Sequence, residues 1–254
     1  MKLNPHKNEI EKRDRFNFGL NWLQFLQVVD ETRIKVAEES LRNMLLVDDL
    51  IGKRFLDVGS GSGLYSLAAR RLGATVYSFD YDPLSVASTQ ELKSHYFPND
   101  TQWTVEEGSV IDADYVNHLG SFDVVYSWGV LHHTGKMWQA LNNVVSLVNL
   151  GGILFIAIYN DEGIISTFWA SVKRLFNRNT GGRILIKILF YPWLGLLSIV
   201  SGIIKQRNPL AKFIQYYLLE ETDFFLILCS CFISGIVIHR VFCVRTTVDK
   251  LLFP

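Results

Sequence analysis

Over the first 160 residues the pattern of apolar and polar positions switches repeatedly between a period of two and a period near 3.6. Short apolar runs rich in β-branched and aromatic residues recur at RFLDV (54–58), TVYSFD (75–80), QWTVEE (102–107), FDVVYSW (122–128) and ILFIAIY (153–159), and each is predicted to be a strand. Helical spacing fills the gaps. In DETRIKVAEESLRNMLL, Ile34, Ala37, Leu41, Met44 and Leu45 share a face, with Asp30 as N-cap. In GLYSLAARRLG, Leu64, Leu67, Ala68 and Leu72 do the same, and Gly73 ends the helix. DPLSVASTQELKSHYF opens with Asp82 as cap and Pro83 at the first helical position, where a missing N–H costs nothing. A further helix is expected over 136–148, after the fourth strand. Strands alternating with helices of this length predict an α/β fold, a mostly parallel sheet flanked by helices.

The stretch LDVGSGSGLYS (56–66) lies where the first strand passes into a helix. Gly59, Gly61 and Gly63 allow a sharp turn and let a ligand approach bare backbone, and the helix N-terminus is expected to offer free N–H groups. In an open α/β sheet this loop falls at the carboxyl end of the first strand, where ligands bind. The spacing is D-x-G-x-G-x-G, with Leu64 where the third glycine of a dinucleotide fingerprint would stand. Asp57 beside the loop would repel a pyrophosphate and suits an ammonium group. Asp80 ends the next strand, placed like the carboxylate that holds ribose hydroxyls in nucleotide sites of this topology. The two acids together describe a ligand with a sugar at one end and an amine at the other, which S-adenosylmethionine satisfies.

FLDVGSGSG, VYSFDYDP, EEGSVID, FDVVYSWGVLHHTG and LVNLGGILFIAIYND, in that order, resemble the successive motifs of class I S-adenosylmethionine-dependent methyltransferases of the ubiquinone and menaquinone biosynthesis type (the methyltransferase type 11/12 domain). FNFGLNWLQFL upstream is similar to an aromatic N-terminal segment of bacterial members, and the resemblance extends over about residues 15–178. It implies a Rossmann-like sheet and S-adenosyl-L-methionine as cofactor. It also implies that Asp57, Gly59, Gly61 and Gly63 line the methionine end and that Asp80 takes the ribose hydroxyls. Tyr81 would lie against the adenine face. Ser109 stands where the family often has an acid for the adenine amino group, so that bond weakens or passes to Asp112. Ser127, Trp128 and Gly129 would form a wall beside the sulfonium. Each has a plainer reading: the glycines as a tight turn, Tyr81 and Trp128 as packing, Asp112 as a solvated loop acid. Methyl transfer to a phenol or enol also needs a base, and His132 and His133 are the candidates, His133 first, kept neutral by the N-terminus of the helix over 136–148. Their plainer reading is helix capping or packing.

Composition qualifies this picture. With 25 basic and 25 acidic residues the chain has no net charge, so no global field recruits nucleic acid. The charge is nonetheless uneven: residues 163–219 carry eight cations and no acid. MKLNPHKNEIEKRDR is polar and unlike a secretory signal, and three cysteines near the C-terminus point to reduced thiols in a cytoplasmic protein. Cys229, Cys231, His239 and Cys243 are spaced like zinc ligands, but their flanks are strongly apolar, and no metal is expected.

The chain accordingly divides into an N-terminal helical cap (1–52), a cofactor-binding core (53–160) and a basic, apolar, helical C-terminal region with a divergent tail (161–254). ILFYPWLGLLSIVSGII (188–204), interrupted by Pro192, reads as a cap over the acceptor site or as part of a peripheral membrane contact through residues 164–219. The tail reads as an antiparallel strand pair, as a second hydrophobic segment over 224–238, or as a damaged end. The expected activity is O- or C-methylation of a small, lipophilic acceptor. The alternative is a cofactor-binding or membrane-associated module with a degenerate acceptor site.

Overall fold

Alternation of side chains along five parallel strands separates two apolar layers. In β1 (Arg54–Val58), Phe55 joins one core cluster while Leu56 and Val58 join the other. β1 pairs in parallel with β2 (Thr75–Asp80) on one side and with β4 (Phe122–Trp128) on the other. β3 (Trp103–Glu107) extends the sheet beyond β2, and β5 (Val148–Ile158) beyond β4. The order is β3-β2-β1-β4-β5-β6, with β6 (Arg240–Arg245) antiparallel on β5. Chain order reverses between β1 and β4, which opens a crevice at the carboxyl ends of these strands. The structure is a computed structural model and describes residues 18–158, 163–204 and 240–245.

Two strands differ from expectation. β3 starts at Trp103, because the Gln102 N–H is taken by the Asp100 carboxylate in the preceding turn. β5 starts at Val148, paired with Phe122, and its register then jumps so that Val124 meets Ile153, with Gly151 in the left-handed region at φ 75°. The helix before it, α6 (Met137–Ser146), therefore stops short of 148. In the tail only β6 falls among the described residues, and its expected partner strand lies outside them.

One face of the sheet is covered by α2 (Glu31–Leu45), α3 (Leu64–Arg71) and α4 (Pro83–Tyr96), whose Leu41, Ala68 and Leu92 pack on Phe55 and Trp103. The other is covered by α5 (Ala113–His118) and α6, through Val116, Leu141 and Val144. Asp30 caps α2 through the Arg33 N–H, and Arg71 on α3 reaches back to the Glu31 carboxylate with two bonds of 2.8 Å. Asp82 serves two helices: one oxygen caps α4 at the Leu84 N–H, and the other accepts the Gly19 N–H of α1 (Phe18–Leu26) at 2.8 Å. Gly19 is required there, since a Cβ would collide with Asp82 and Leu84.

The chain forms two compact units, residues 1–159 with 239–254, and residues 160–238. The second contains α7 (Ile164–Arg178) and α8 (Thr180–Ile204), with Val172, Phe176 and Ile186 buried. Asn179 between them accepts the Gly182 N–H at 2.8 Å. Pro192 does not interrupt the helix as expected: α8 runs through it, forgoing only the bond an N–H would have made to the preceding turn. Among the described residues no helix is long and apolar enough to cross a membrane.

Candidate functional site

The loop after β1 folds against its neighbours with little slack. Gly59, Gly61 and Gly63 have φ of 78°, 56° and 79°, a region that residues with a Cβ enter at a penalty. A Cβ on Gly59 would lie 2.5 Å from both γ-carbons of Val130, and one on Gly61 or Gly63 would lie 2.9 Å from Trp22 or Thr89. The main-chain donors are largely engaged. Gly59 and Ser60 donate to the Phe79 carbonyl, Gly61 to Asp80 Oδ2 at 3.0 Å, and Gly63 to the Ser60 carbonyl. The glycines therefore provide closeness rather than the row of free N–H groups expected of a helix N-terminus. Gly59→Ala is expected to cost about 1–2 kcal/mol from the left-handed backbone alone and to weaken ligand binding at the loop about tenfold. Thermal melts of Gly59→Ala and of Gly59→Ala with Val130→Ala check this, because removing the valine relieves the collision but not the backbone penalty.

Beside the loop lies a cavity of 390 Å³, within the range of small-molecule sites. Its floor is apolar, including Val58 and Phe79, and its rim carries Asp80, Tyr81, Ser109 and His133. These four come together because they follow the carboxyl ends of β2, β3 and β4. Asp80 is held in place by the N–H groups of Gly61 and Asp82, at 3.0 and 2.9 Å. Gly59 is the one glycine of the loop row on this lining.

The other expected site residues lie elsewhere. Asp57 is 3% exposed, beneath α3, with its carboxylate accepting the Ser66 hydroxyl. Burial, with a smaller push from the Asp80 charge and partly offset by Ser66, raises its carboxyl to about 7. Trp128 is half-buried and stacks on Phe155 and Tyr65, at 5.9 and 6.2 Å between ring centroids. Ser127 is buried and donates to the Val58 carbonyl at 3.0 Å, locking β4 to β1 at the point of reversal. Asp112 is exposed and caps α5 through the Asp114 and Tyr115 N–H groups, the bland role open to it.

The histidine pair differs most from expectation. His132 and His133 close a 3-10 turn (Leu131–His133), and α6 begins only at Met137 with Lys136 as its N-cap. The two rings lie 4.0 Å apart, His132 half-buried and His133 exposed on the cavity rim. Among the described residues no cluster of potential metal ligands occurs; Cys243 lies on β6, and Cys229, Cys231 and His239 fall outside them.

Sequence reasoning missed two groups. Trp22 on α1 lies over Gly61, a contact hinted at only by the aromatic character of that segment. Ser66, Ser78 and Trp103 form a buried hydrogen-bonded chain ending on Asp57, which no local pattern signals.

A parallel sheet reversing between β1 and β4, a glycine loop after β1, and an acid ending β2 on the cavity rim are arranged as in class I S-adenosylmethionine-dependent methyltransferase domains. Residues 56–154 match the family model described as a methyltransferase domain. The ubiquinone biosynthesis O-methyltransferase of Escherichia fergusonii is 35% identical over 116 residues, 45% of this chain and 46% of that one. That of Escherichia coli is 34% identical over a stretch of the same length and coverage. The chain thus spans about half the length of the curated relatives it matches. Among solved structures, a magnesium protoporphyrin IX methyltransferase from Synechocystis with bound SAH is similar at 20% identity and a TM-score of 0.48, over 63% of this chain and 75% of that one.

Proposed function

We propose that the chain transfers a methyl group from S-adenosylmethionine to an oxygen of a small, lipophilic, phenol-like acceptor. The observation that carries this reading is the single rim on which Asp80, Tyr81, Ser109 and His133 meet, in a cavity that Gly59 of the glycine loop also lines. The named O-methyltransferase activity of the Escherichia relatives supports oxygen as the atom methylated.

Bound S-adenosylmethionine supplies an electrophilic methyl group on a positively charged sulfur. The residues of this chain bind, orient and move a proton. Asp80, already fixed by two main-chain N–H groups, presents its carboxylate to the ribose hydroxyls, and Tyr81 and Ser109 bound the adenine side. Asp57 does not line the cavity; its charge acts from behind the loop, where burial limits screening. Holding donor and acceptor in line can supply about 7–11 kcal/mol of the barrier. His133, on the same rim, is the group placed to take the acceptor's proton.

Calorimetry with S-adenosylmethionine, followed by turnover on a panel of catechols, phenols and quinols, tests the reading. Binding with turnover on at least one phenolic acceptor is expected. Tight binding with no turnover on any acceptor would overturn it in favour of a cofactor-binding module.

A lipophilic acceptor also gives the basic unit a purpose, and we propose that it rests on anionic lipid. On α8, Ile184, Leu185, Ile188, Leu189 and Leu196 are exposed apolar residues, and the surrounding stretch 163–219 carries eight cations and no acid. Each cation near such a surface contributes about 1 kcal/mol. The chain is expected to co-sediment with vesicles containing phosphatidylglycerol and not with pure phosphatidylcholine. Arg174→Glu with Arg178→Glu should weaken that binding on the order of tenfold or more; equal sedimentation with both vesicle types would count against it.

A further inference from the structure

Asp57 lies at one end of a buried hydrogen-bonded chain that begins two strands away. Trp103 on β3 donates its indole N–H to Ser78 Oγ on β2 at 2.9 Å, Ser78 donates to Ser66 Oγ on α3 at 2.8 Å, and Ser66 donates to Asp57 Oδ2 on β1 at 2.5 Å. All four residues are at most 3% exposed. Register explains the alignment. Asp57 is paired with Ser78 and therefore points to the same face, while Trp103 lies two residues before Val105, the partner of Ser78 on β3.

The direction of the chain is fixed by chemistry. An indole N–H can only donate, so the Ser78 hydroxyl, having accepted it, is left to donate onward, and Ser66 likewise. Every hydrogen then points toward Asp57, and successive bonds polarise one another toward a terminal negative charge. The last bond, hydroxyl to carboxylate, is the charge-assisted one. Asp80 at the end of β2 works the other way and opposes the ionisation of Asp57, while the Tyr126 phenol on β4, beside Tyr65, is raised well above its ordinary value chiefly by burial and so adds no charge.

We propose that Trp103, Ser78 and Ser66 are positioning residues that orient the Asp57 carboxylate and keep it charged for the ammonium end of the cofactor. This rests on S-adenosylmethionine being the ligand of the adjacent loop, but the charge on Asp57 can be followed without it. The role differs from packing because it acts through one titration: a relay sets where Asp57 ionises, whereas filler affects stability equally at every pH.

The test compares wild type, Trp103→Phe, Ser78→Ala, Ser66→Ala and Ser66→Thr as full chains. Melting temperature is followed from pH 4 to pH 9 without ligand, with Asp57→Asn marking the part of the profile that belongs to Asp57. Trp103→Phe, Ser78→Ala and Ser66→Ala are expected to move that part about one pH unit upward, while Ser66→Thr, which keeps the hydroxyl, leaves it in place. In calorimetry the first three should bind S-adenosylmethionine about tenfold more weakly at pH 7 and recover at pH 9, where the carboxyl is ionised regardless. If Trp103→Phe does not fold, the serine variants carry the test. An Asp57 profile unmoved by loss of any relay hydroxyl overturns the proposal. A wild type that shows the pH profile but binds no S-adenosylmethionine overturns the cofactor reading instead, and with it the purpose assigned to the relay.

Discussion

Replacing His133 by alanine is expected to lower turnover on an un-ionised phenol by about 10²–10⁴-fold while leaving S-adenosylmethionine affinity essentially unchanged. The separation of the two effects follows from placement. The groups assigned to the cofactor are Asp80, Tyr81 and Ser109, whereas His133 reaches the same cavity from the 3-10 turn after β4. Its backbone is fixed by the N–H bond to the Val130 carbonyl at 2.9 Å, and its ring only leans on that of His132, tilted by 46°, so removal of the imidazole leaves the turn intact. His132, half-buried behind it, is expected to act through packing, so His132→Ala should lower stability more than turnover. A series of acceptors makes the test specific. A nitrophenol already ionised at neutral pH has no proton to surrender, so His133→Ala should lose little on it while losing most on an ordinary phenol. Unchanged turnover on both, with cofactor bound, would remove His133 from the reaction.

The parts of this molecule legible in the sequence are those written locally. Strand and helix periods, the Asp30 and Asp82 caps and the glycine-rich loop each depend on a few neighbouring residues, and each, the start of β5 apart, forms within a residue or two of where the pattern places it. The shared rim of Asp80, Tyr81, Ser109 and His133 was also within reach, because topology alone brings the carboxyl ends of consecutive parallel strands to one edge of the sheet. What the pattern did not reveal depends on side-chain direction and on partners distant in the chain. Asp57 turns beneath α3 because period-two alternation puts it on the face of Phe55, opposite Leu56 and Val58, and its acceptor atoms meet Ser66 there. Ser78 and Trp103 are 25 residues apart, and only the β2–β3 register makes them neighbours. The histidines read as residues lying just before the helix over 136–148, because nothing in GVLHHTGK reveals the 3-10 turn that holds them. The early start of β5 hides for a similar reason: a bulge containing Gly151 and Gly152 reads as a loop until its flanking residues pair.

Asp57→Asn is expected to make the ligand-free chain more stable above neutral pH and, at the same time, a poorer binder of S-adenosylmethionine. Burial raises the Asp57 carboxyl from 3.8 to about 7, so between those values the folded chain retains a proton that the unfolded chain has released. Stability therefore falls as pH rises through that window and levels off above it, which is the sign expected when the native state binds more protons. The full difference corresponds to as much as about 4 kcal/mol. Asparagine has no charge to bury and its carbonyl oxygen can still accept the Ser66 hydroxyl, so the variant should lack this slope: its melting temperature should match wild type near pH 4 and exceed it by several degrees at pH 8. The binding effect runs in the opposite direction, since an ammonium group settling near the loop favours the ionised form. Wild-type binding below pH 7 should release a proton from Asp57, visible in calorimetry as a heat that depends on the buffer's ionisation enthalpy, and Asp57→Asn should abolish that dependence while weakening affinity on the order of tenfold or more. A carboxylate whose burial destabilises the empty fold, and which is relieved only when a cation arrives, would be retained for binding rather than for folding. A variant that is no more stable than wild type at pH 8 and binds as tightly would show that Asp57 carries neither effect.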